Sequence, residues 1–184
     1  MSSTVATTLE EVLAAIDGRD WALLAIDGID GAGKSTLGRS IGLETGASVV
    51  HLDDFLEKGQ GTFLNALRYS EIARALDSSR PAIVEGVCVL EVLAGLNRTP
   101  DVLIYVRRMH RGLWNDEHEL DVAGDLDSHL DHLEADLKQF VAATNGSTAA
   151  EVASIGRPRR EIITYHYRYR CWERADVVFE RDDA

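Results

Sequence analysis

The sequence predicts an α/β fold in which a central, mainly parallel five-stranded sheet is covered by helices on both faces. Two patterns carry this prediction. Apolar runs bounded by turn residues alternate along the chain with stretches of helical periodicity, which is typical of parallel strands joined by crossover helices. Three of the apolar runs also lack polar alternation, as strands buried on both faces do. The chain has 184 residues, a length that suits one domain with a sizeable core, so we expect residues 1–184 to form a single domain.

An amphipathic helix is predicted within residues 1–18. Thr8 is placed to cap its first turn, with Glu11 three residues later as the second half of a capping box. The Asp17-Gly18 pair is a turn signal that ends it. The apolar face of this helix is predicted to consist of Leu9, Leu13 and Ile16.

The remaining elements follow in alternation. The predicted strands are Trp21–Asp27, Ser48–Leu52, Pro81–Glu85, Asp101–Val106 and Ala175–Glu180. The helices expected between them are Lys34–Glu44, Thr62–Leu76 and Cys88–Leu96. Strands that are separated by helices in this way pair in parallel within one sheet.

Residues 107–160 depart from this alternation. They begin with arginines, continue into an acidic helix predicted at Asp125–Val141, and pass through a polar stretch at Thr144–Thr148. We expect a lid-like helical insertion between the last two strands. The apolar stripe of its helix is expected to pack against the domain, with a dimer contact as the alternative. That stripe consists of Leu126, Leu130, Leu133, Leu137 and Val141.

Composition limits the partners and the location. The formal net charge is −12, whereas a protein that binds a nucleic-acid backbone needs a positive surface to displace counterions, so we expect no nucleic-acid partner. No apolar run reaches membrane-spanning length, and the N-terminal residues lack the features of a secretory signal. We therefore expect a cytoplasmic protein with no membrane contact, as a monomer or homodimer. Cys88 and Cys171 are expected to be reduced, partly buried thiols, with a disulfide as the alternative.

A phosphate-binding loop is the most specific motif. Residues 28–35 read Gly-Ile-Asp-Gly-Ala-Gly-Lys-Ser, which matches G-x-x-x-x-G-K-[ST] between an apolar strand and a helix. Its glycines permit a tight turn whose backbone N–H groups, together with the helix N-terminus, bind a β-phosphate. Lys34 adds a charge at the β- and γ-phosphates, and the Ser35 hydroxyl ligates Mg²⁺. The predicted nucleotide-binding residues are Gly28, Asp30, Gly31, Ala32, Gly33, Lys34, Ser35 and Thr36. The predicted fold class is therefore a three-layer P-loop NTPase fold.

Acidic residues follow two other apolar strands. Asp53 and Asp54 come after the second predicted strand, and Glu85 ends the third. Ligands of open α/β sheets bind at this end of the strands. Phosphoryl transfer to a hydroxyl uses a base near the acceptor, a role that an aspartate at this position suits, and Glu85 is suited to holding Mg²⁺ or its waters. For each acid, a helix cap or a solvated loop is the alternative. The sequence contains no N-K-x-D motif for reading guanine.

These segments resemble the uridine kinase, phosphoribulokinase and pantothenate kinase group of P-loop kinases. The matching pieces are Ile26–Thr36, Asp53-Asp54-Phe55, Val84-Glu85-Gly86, and Tyr165–Tyr169 leading into Ala175–Val178. The resemblance implies ATP as phosphate donor with Mg²⁺. It also implies that Asp53 is the base that activates the acceptor and that Glu85 is an acid on the metal side; Asp54 is a further candidate for holding Mg²⁺ waters.

The resemblance also implies arginines that clamp the phosphates after the fourth strand. Arg107, Arg108 and Arg111 occupy that place, although their spacing differs from that of the nucleoside-kinase lid. The alternative lid arginines are Arg157, Arg159 and Arg160. The nearby aromatic residues are expected to pack the last helix against the sheet, with stacking on a base as the alternative; they are Tyr165, Tyr167, Tyr169 and Trp172.

The sequence thus predicts an ATP- and Mg²⁺-dependent kinase that phosphorylates a hydroxyl of a small-molecule acceptor, a nucleoside or related metabolite. A vitamin, a sugar or a sugar acid is the alternative acceptor. A nucleotide-binding regulatory or assembly protein is the alternative from another functional class.

Overall fold

The computed structural model describes residues 3–57, 59, 61–145 and 153–182. Its strands are β1 (Thr4–Ala6), β2 (Leu23–Asp27), β3 (Ser48–His51), β4 (Ala82–Glu85), β5 (Val102–His110), β6 (Leu113–Trp114) and β7 (Val177–Asp182). Its helices are α1 (Leu9–Ile16), α2 (Lys34–Thr45), α3 (Tyr69–Asp77), α4 (Val89–Gly95), α5 (Glu117–Leu120), α6 (Leu126–Asn145), α7 (Arg157–Tyr169) and α8 (Cys171–Arg174). Short 3₁₀ turns lie at Leu52–Phe55 and Leu64–Ala66.

The sheet has the order β1-β7-β5-β2-β4-β3, with parallel pairing along this path. Strand β2 is central, and its residue Ile26 lies opposite Ile104 of β5 on one side and Glu85 of β4 on the other. Side chains that alternate along β2 enter two separate cores. Leu24 and Ile26 face α1 and α2, whereas Ala25 faces the core formed with α3, α4, α7 and α8. The predicted three-layer α/β fold is confirmed.

Helix α1 has the predicted capping box. The Glu11 backbone N–H donates to Thr8 Oγ1 at 3.2 Å, and the Thr8 backbone N–H donates to Glu11 Oε2 at 3.2 Å. These two reciprocal hydrogen bonds satisfy backbone donors that a helix N-terminus otherwise leaves unpaired. Helix α1 ends at Ile16 with Asp17 as its C-cap, and its buried residues Val12 and Ile16 pack against α2.

The predicted number of five strands is wrong, because the sheet of the described residues has seven. Strand β1 is three residues long and was missed, since so short a segment shows no alternation. Strand β6 pairs antiparallel with the end of β5. Strand β5 itself continues past Val106, because β7 runs beside it and pairs Arg107 with Glu180. The first two arginines of the predicted lid therefore lie on a strand and not in a loop.

The predicted helix Thr62–Leu76 is wrong in its first half, since α3 begins at Tyr69. The backbone N–H of Phe63 donates to the Glu161 carboxylate of α7 at 2.6 Å instead of entering a helix. Leu67 forms an antiparallel bridge with Leu56. A distant side chain and a non-local bridge thus override the local helical pattern, which sequence periodicity alone does not reveal.

The acidic helix α6 is present as predicted and extends to Asn145. Leu130 is buried, and Leu126 and Leu133 pack against the core, so this part of the apolar stripe faces the domain as predicted. Most of the polar stretch predicted at Thr144–Thr148 lies outside the described residues. No helix in the described part of the chain is both long and apolar enough to cross a membrane. Cys88 and Cys171 are buried free thiols.

Candidate active site

Residues 28–33 form a glycine-rich turn between β2 and α2. Gly28 has φ 148°, and a Cβ there would lie 2.8 Å from the carbonyl oxygen of Val106. Gly33 has φ 98°, and its Cβ would lie 2.6 Å from Nη1 of Arg181. Both positions therefore require glycine. Among the described residues no side chain caps α2, so its first N–H groups are available to an anion.

Lys34, the first residue of α2, is buried beneath this turn. Its Nζ donates to the carbonyl oxygen of Ile29 at 2.6 Å. Burial lowers the pKa of its ammonium group, and surrounding carboxylates oppose that shift; these belong to Asp27, Glu85, Asp30 and Asp53. The lysine is therefore a desolvated cation at the point where acids from β2, β4 and the turn after β3 converge.

Ser35, Glu85 and His51 form a hydrogen-bonded cluster beside the lysine. The Ser35 hydroxyl donates to Glu85 Oε1 at 2.9 Å, and His51 Nδ1 lies 2.5 Å from the same oxygen. His51 and Glu85 are directly paired across β3 and β4. Sequence analysis did not identify His51, although its place at the end of an apolar strand next to the acids was a usable signal.

This cluster fits a magnesium ion that is shared with phosphates. Ser35 and Glu85 supply the hydroxyl and carboxylate oxygens that Mg²⁺ prefers. No group of three or more His, Cys, Asp or Glu side chains in the described residues forms a protein-only metal cage. Mg²⁺ is commonly held by one or two side chains plus substrate phosphates and water, and Ser35 and Glu85 suit that arrangement.

Asp53 and Asp54 lie on the 3₁₀ turn that follows β3. Both residues are exposed. Partial burial of the Asp53 carboxyl nevertheless raises its pKa; Lys34 lowers it, and the carboxylates of Glu85 and Asp30 raise it further. Asp53 therefore lies within electrostatic range of Lys34 and of Asp30 in the phosphate loop. Asp54 contributes its backbone carbonyl to a hydrogen bond from Arg68 at 3.0 Å.

The arginines that follow Val106 separate into different environments. Arg108 makes a bidentate pair with Asp116, at 2.5 and 3.2 Å, and its Nη1 lies 3.9 Å from the position of a Cβ on Gly31. Arg107 lies 3.6 Å from Glu180 and stacks over Trp114 at 4.6 Å. Arg111 is exposed in the turn between β5 and β6, with φ 51°. The structure thus brings Arg108 to the phosphate loop and leaves Arg111 outside it.

The second group of arginines lies at the start of α7. Arg159 makes a bidentate pair with Glu119, at 2.6 and 2.7 Å, and Arg160 lies 3.1 Å from Glu134. Arg157 is exposed. Arg159 shares a cavity of about 320 Å³ with Arg108 and with two residues of the phosphate loop; the cavity is lined by Ile29, Asp30, Arg108, Asp116, Glu119, Leu120, Arg159 and Ile162.

Arg181, on the last strand, was missed by sequence analysis. Its Nη1 donates to the carbonyl oxygen of Gly31 at 3.3 Å. It also lines a mostly apolar cavity of about 290 Å³ between α1, α2 and β7, which is bounded by Leu9, Gly33, Thr36, Leu37, Ser40, Phe179 and Arg181. Its position near the end of β7 was a signal, because ligands of parallel sheets bind at the carboxyl ends of the strands.

Asp27 was also missed, although it directly precedes the loop. It is fully buried, and burial raises its pKa while His166, Tyr165, Gly28 and Lys34 lower it. Tyr165 donates a hydrogen bond to Asp27 Oδ2. The predicted packing role of the aromatic residues is confirmed for Tyr165 and Trp172, which are buried, but not for Tyr167, which is exposed.

The chain matches no protein-family model and no curated protein sequence. Among solved structures it is similar to shikimate kinase from Bacteroides thetaiotaomicron, at 13% identity and a TM-score of 0.41, over 88% of this chain and 86% of that chain. A possible uridine kinase from Bacillus stearothermophilus has 15% identity and a TM-score of 0.45, over 93% and 94%. A candidate fructose transport system kinase from Silicibacter sp. TM1040 has 18% identity and a TM-score of 0.45, over 95% and 100%.

Proposed function

We propose that this protein is a kinase that transfers the γ-phosphoryl group of ATP to a hydroxyl of a small metabolite, a nucleoside or a related compound, with Mg²⁺. One observation supports this above the others. The buried Lys34, the Ser35–Glu85 pair and the Asp53 carboxyl converge at the carboxyl ends of β2, β3 and β4. A cation for the donor phosphates and a carboxylate for an acceptor hydroxyl are thus within electrostatic reach of each other.

Each residue has a separate role in this proposal. The loop N–H groups and Lys34 hold the phosphates, and Ser35 with Glu85 holds the metal, which when bound neutralises phosphate charge. Asp53 accepts the proton of the acceptor hydroxyl as the phosphoryl group moves. Phosphoryl transfer depends on positioning and charge neutralisation more than on covalent catalysis. These residues are of the types that provide both.

The donor base is proposed to lie in the 290 Å³ cavity beside Gly33 and Thr36. Those two residues belong to the phosphate loop and the first turn of α2, so a base there is joined to phosphates bound by the same loop. The wall formed by Leu9, Leu37 and Phe179 suits a flat, weakly polar ring. The helical segment between β6 and α7 is proposed as the lid, with Arg108 at the end of β5 and Arg159 at the start of α7 as the arginines that reach the phosphates.

The test is a screen for ADP release with Mg²⁺-ATP and three groups of acceptors, which are nucleosides, vitamins, and sugars with sugar acids. We expect ADP release that depends on a nucleoside and is lost in Lys34→Ala. ADP release that depends on a vitamin or a sugar would support the proposed kinase activity and would change the proposed acceptor from a nucleoside to that compound. ATP binding with no acceptor-dependent release across the screen would favour a nucleotide-operated regulatory or assembly protein.

A further inference from the structure

Helix α7 presents two functional contacts from one face. Glu161 and Tyr165 are four residues apart, so their side chains lie on the same side of the helix, about 6 Å apart along its axis. One side chain contacts a residue of the candidate active site, and the other contacts a segment that lies beside it. Glu161 contacts the segment formed by residues 62–68, and Tyr165 contacts the residue that precedes the phosphate loop.

The Glu161 contact is made with the segment 62–68, which lies next to the turn that carries the proposed base. Its Oε2 accepts the backbone N–H of Phe63 at 2.6 Å, and the backbone N–H of Leu64 lies 3.4 Å away. The segment 62–68 in turn supports the turn that carries Asp53. The backbone N–H of Arg68 donates to the carbonyl oxygen of Phe55 at 3.0 Å, and its guanidinium donates to that of Asp54 at 3.0 Å. Glu161 is thus connected, through the backbone of segment 62–68 and the hydrogen bonds of Arg68, to the two residues that follow the proposed base Asp53.

The Tyr165 contact is made next to the phosphate loop. Its buried hydroxyl donates to Asp27 Oδ2 and accepts from the backbone N–H of Leu90 and the thiol of Cys171, each at 3.1 Å. These three bonds use the full hydrogen-bonding capacity of a phenol. The other oxygen of Asp27 accepts the backbone N–H of Gly28 at 2.7 Å. Tyr165 is therefore linked by hydrogen bonds through Asp27 to Gly28, the first glycine of the loop.

We propose that α7 couples the phosphate loop to the segment 62–68, with Tyr165 and Glu161 as the positioning residues at its two contacts. The inference rests on the proposed nucleotide binding. Phosphates bound by the loop restrain Gly28 and hence Asp27, Tyr165 restrains α7, and Glu161 restrains the segment that supports Asp53. Because coupling free energy is reciprocal, an acceptor that orders the segment tightens nucleotide binding by the same factor.

Hydrogen exchange with the non-hydrolysable analogue AMP-PNP and Mg²⁺ tests the coupling without a known acceptor. In the wild-type protein, exchange in peptides that cover residues 62–68 should slow by about fivefold or more when the analogue binds, the lower end of the usual range for coupled sites. Tyr165→Phe removes the hydroxyl and keeps the ring. It should still bind the analogue, but the added protection at residues 62–68 should disappear.

Two further variants separate coupling from general stability. Glu161→Ala removes the other contact and should also abolish the nucleotide-dependent protection, whatever its effect on exchange without nucleotide. Glu161→Gln keeps one acceptor oxygen and should retain part of the response. Tyr167→Phe is the matched control, since it removes a hydroxyl from an exposed ring of the same helix and should respond as the wild type does.

The outcomes are distinguishable because analogue binding is measured separately by calorimetry. Binding by the wild type with unchanged exchange at residues 62–68 would overturn the coupling and leave the proposed function intact. Full protection in both Tyr165→Phe and Glu161→Ala would also overturn it. No binding of the analogue to the wild type would overturn the proposed function and the coupling together.

Discussion

The ammonium group of Lys34 donates to the carbonyl oxygen of Ile29, 2.6 Å away, inside the turn where phosphates are proposed to bind. The lysine is already desolvated, since the surrounding protein buries its side chain. A phosphate can replace this carbonyl as the partner of the ammonium group. Binding then adds no cost of desolvating the lysine, because the lysine is already shielded from water. Charge-assisted bonds are also stronger in a site from which water is excluded.

Lys34→Ala should therefore keep the fold and lose nucleotide use. The loop N–H groups remain, but the charge at the phosphates is gone, so we expect kcat/KM for ADP formation to fall on the order of 10²-fold or more, about 2.7 kcal/mol. Arg39→Ala, an exposed cation on the same helix, is the control and should behave as the wild type. Near-normal turnover by a folded Lys34→Ala variant would contradict the phosphate-loop assignment.

Asp53→Asn and Asp54→Asn should have unequal effects. Asn preserves size and removes the proton acceptor, so Asp53→Asn should lower kcat by roughly 10²- to 10⁴-fold with little change in ATP affinity. Asp54→Asn should cost much less, unless Asp54 holds metal waters, in which case extra Mg²⁺ should partly restore the rate. Steady-state kinetics of both variants across Mg²⁺ concentrations measure this. An inactive Asp54→Asn beside an active Asp53→Asn would reverse the assignment of the base.

The pH profile of kcat/KM should report the raised pKa of Asp53. A base must be unprotonated, and it becomes protonated as the pH falls through its pKa. Because burial raises that pKa above the ordinary value of 3.8, the acid limb of the profile should lie above pH 3.8. Asp53→Asn should remove this limb from whatever activity remains. A limb at or below 3.8 in the wild type would argue against Asp53 as the titrating base.

The candidate lid arginines that lie near the phosphate loop should be separable by mutation from those that do not. Arg108 faces the phosphate loop, whereas Arg111 is exposed in the turn after β5. Arg108→Lys keeps the charge but loses the planar fork, so kcat/KM should fall by about tenfold. Arg159→Ala should also lower kcat/KM, because Arg159 lines the same cavity as Arg108. Arg111→Ala should change kcat/KM little. Equal losses in Arg111→Ala and Arg108→Lys would contradict this division.

The phosphate loop and the α/β class were predictable because their signals are local. The loop requires glycines at fixed positions, as Gly28 and Gly33 confirm by their backbone angles and close contacts. The Thr8–Glu11 capping box is similarly encoded within one helical turn. Roles inferred for Asp53, Glu85 and the arginines remain predictions, although the structure places Asp53, Glu85 and Arg108 beside the loop.

What the sequence by itself determined is therefore the set of features fixed by neighbours along the chain: the strand–loop–helix at Lys34, the helix cap at Thr8 and the alternation of strands with helices. Tertiary structure decided that β5 extends to His110, that residues 62–68 are not part of an α-helix, and that Asp27, Tyr165, His51 and Arg181 surround the site. The physical reason is that these features depend on hydrogen bonds between residues far apart in sequence, such as Tyr165 to Asp27 and Glu161 to Phe63, and no local periodicity encodes such a partner.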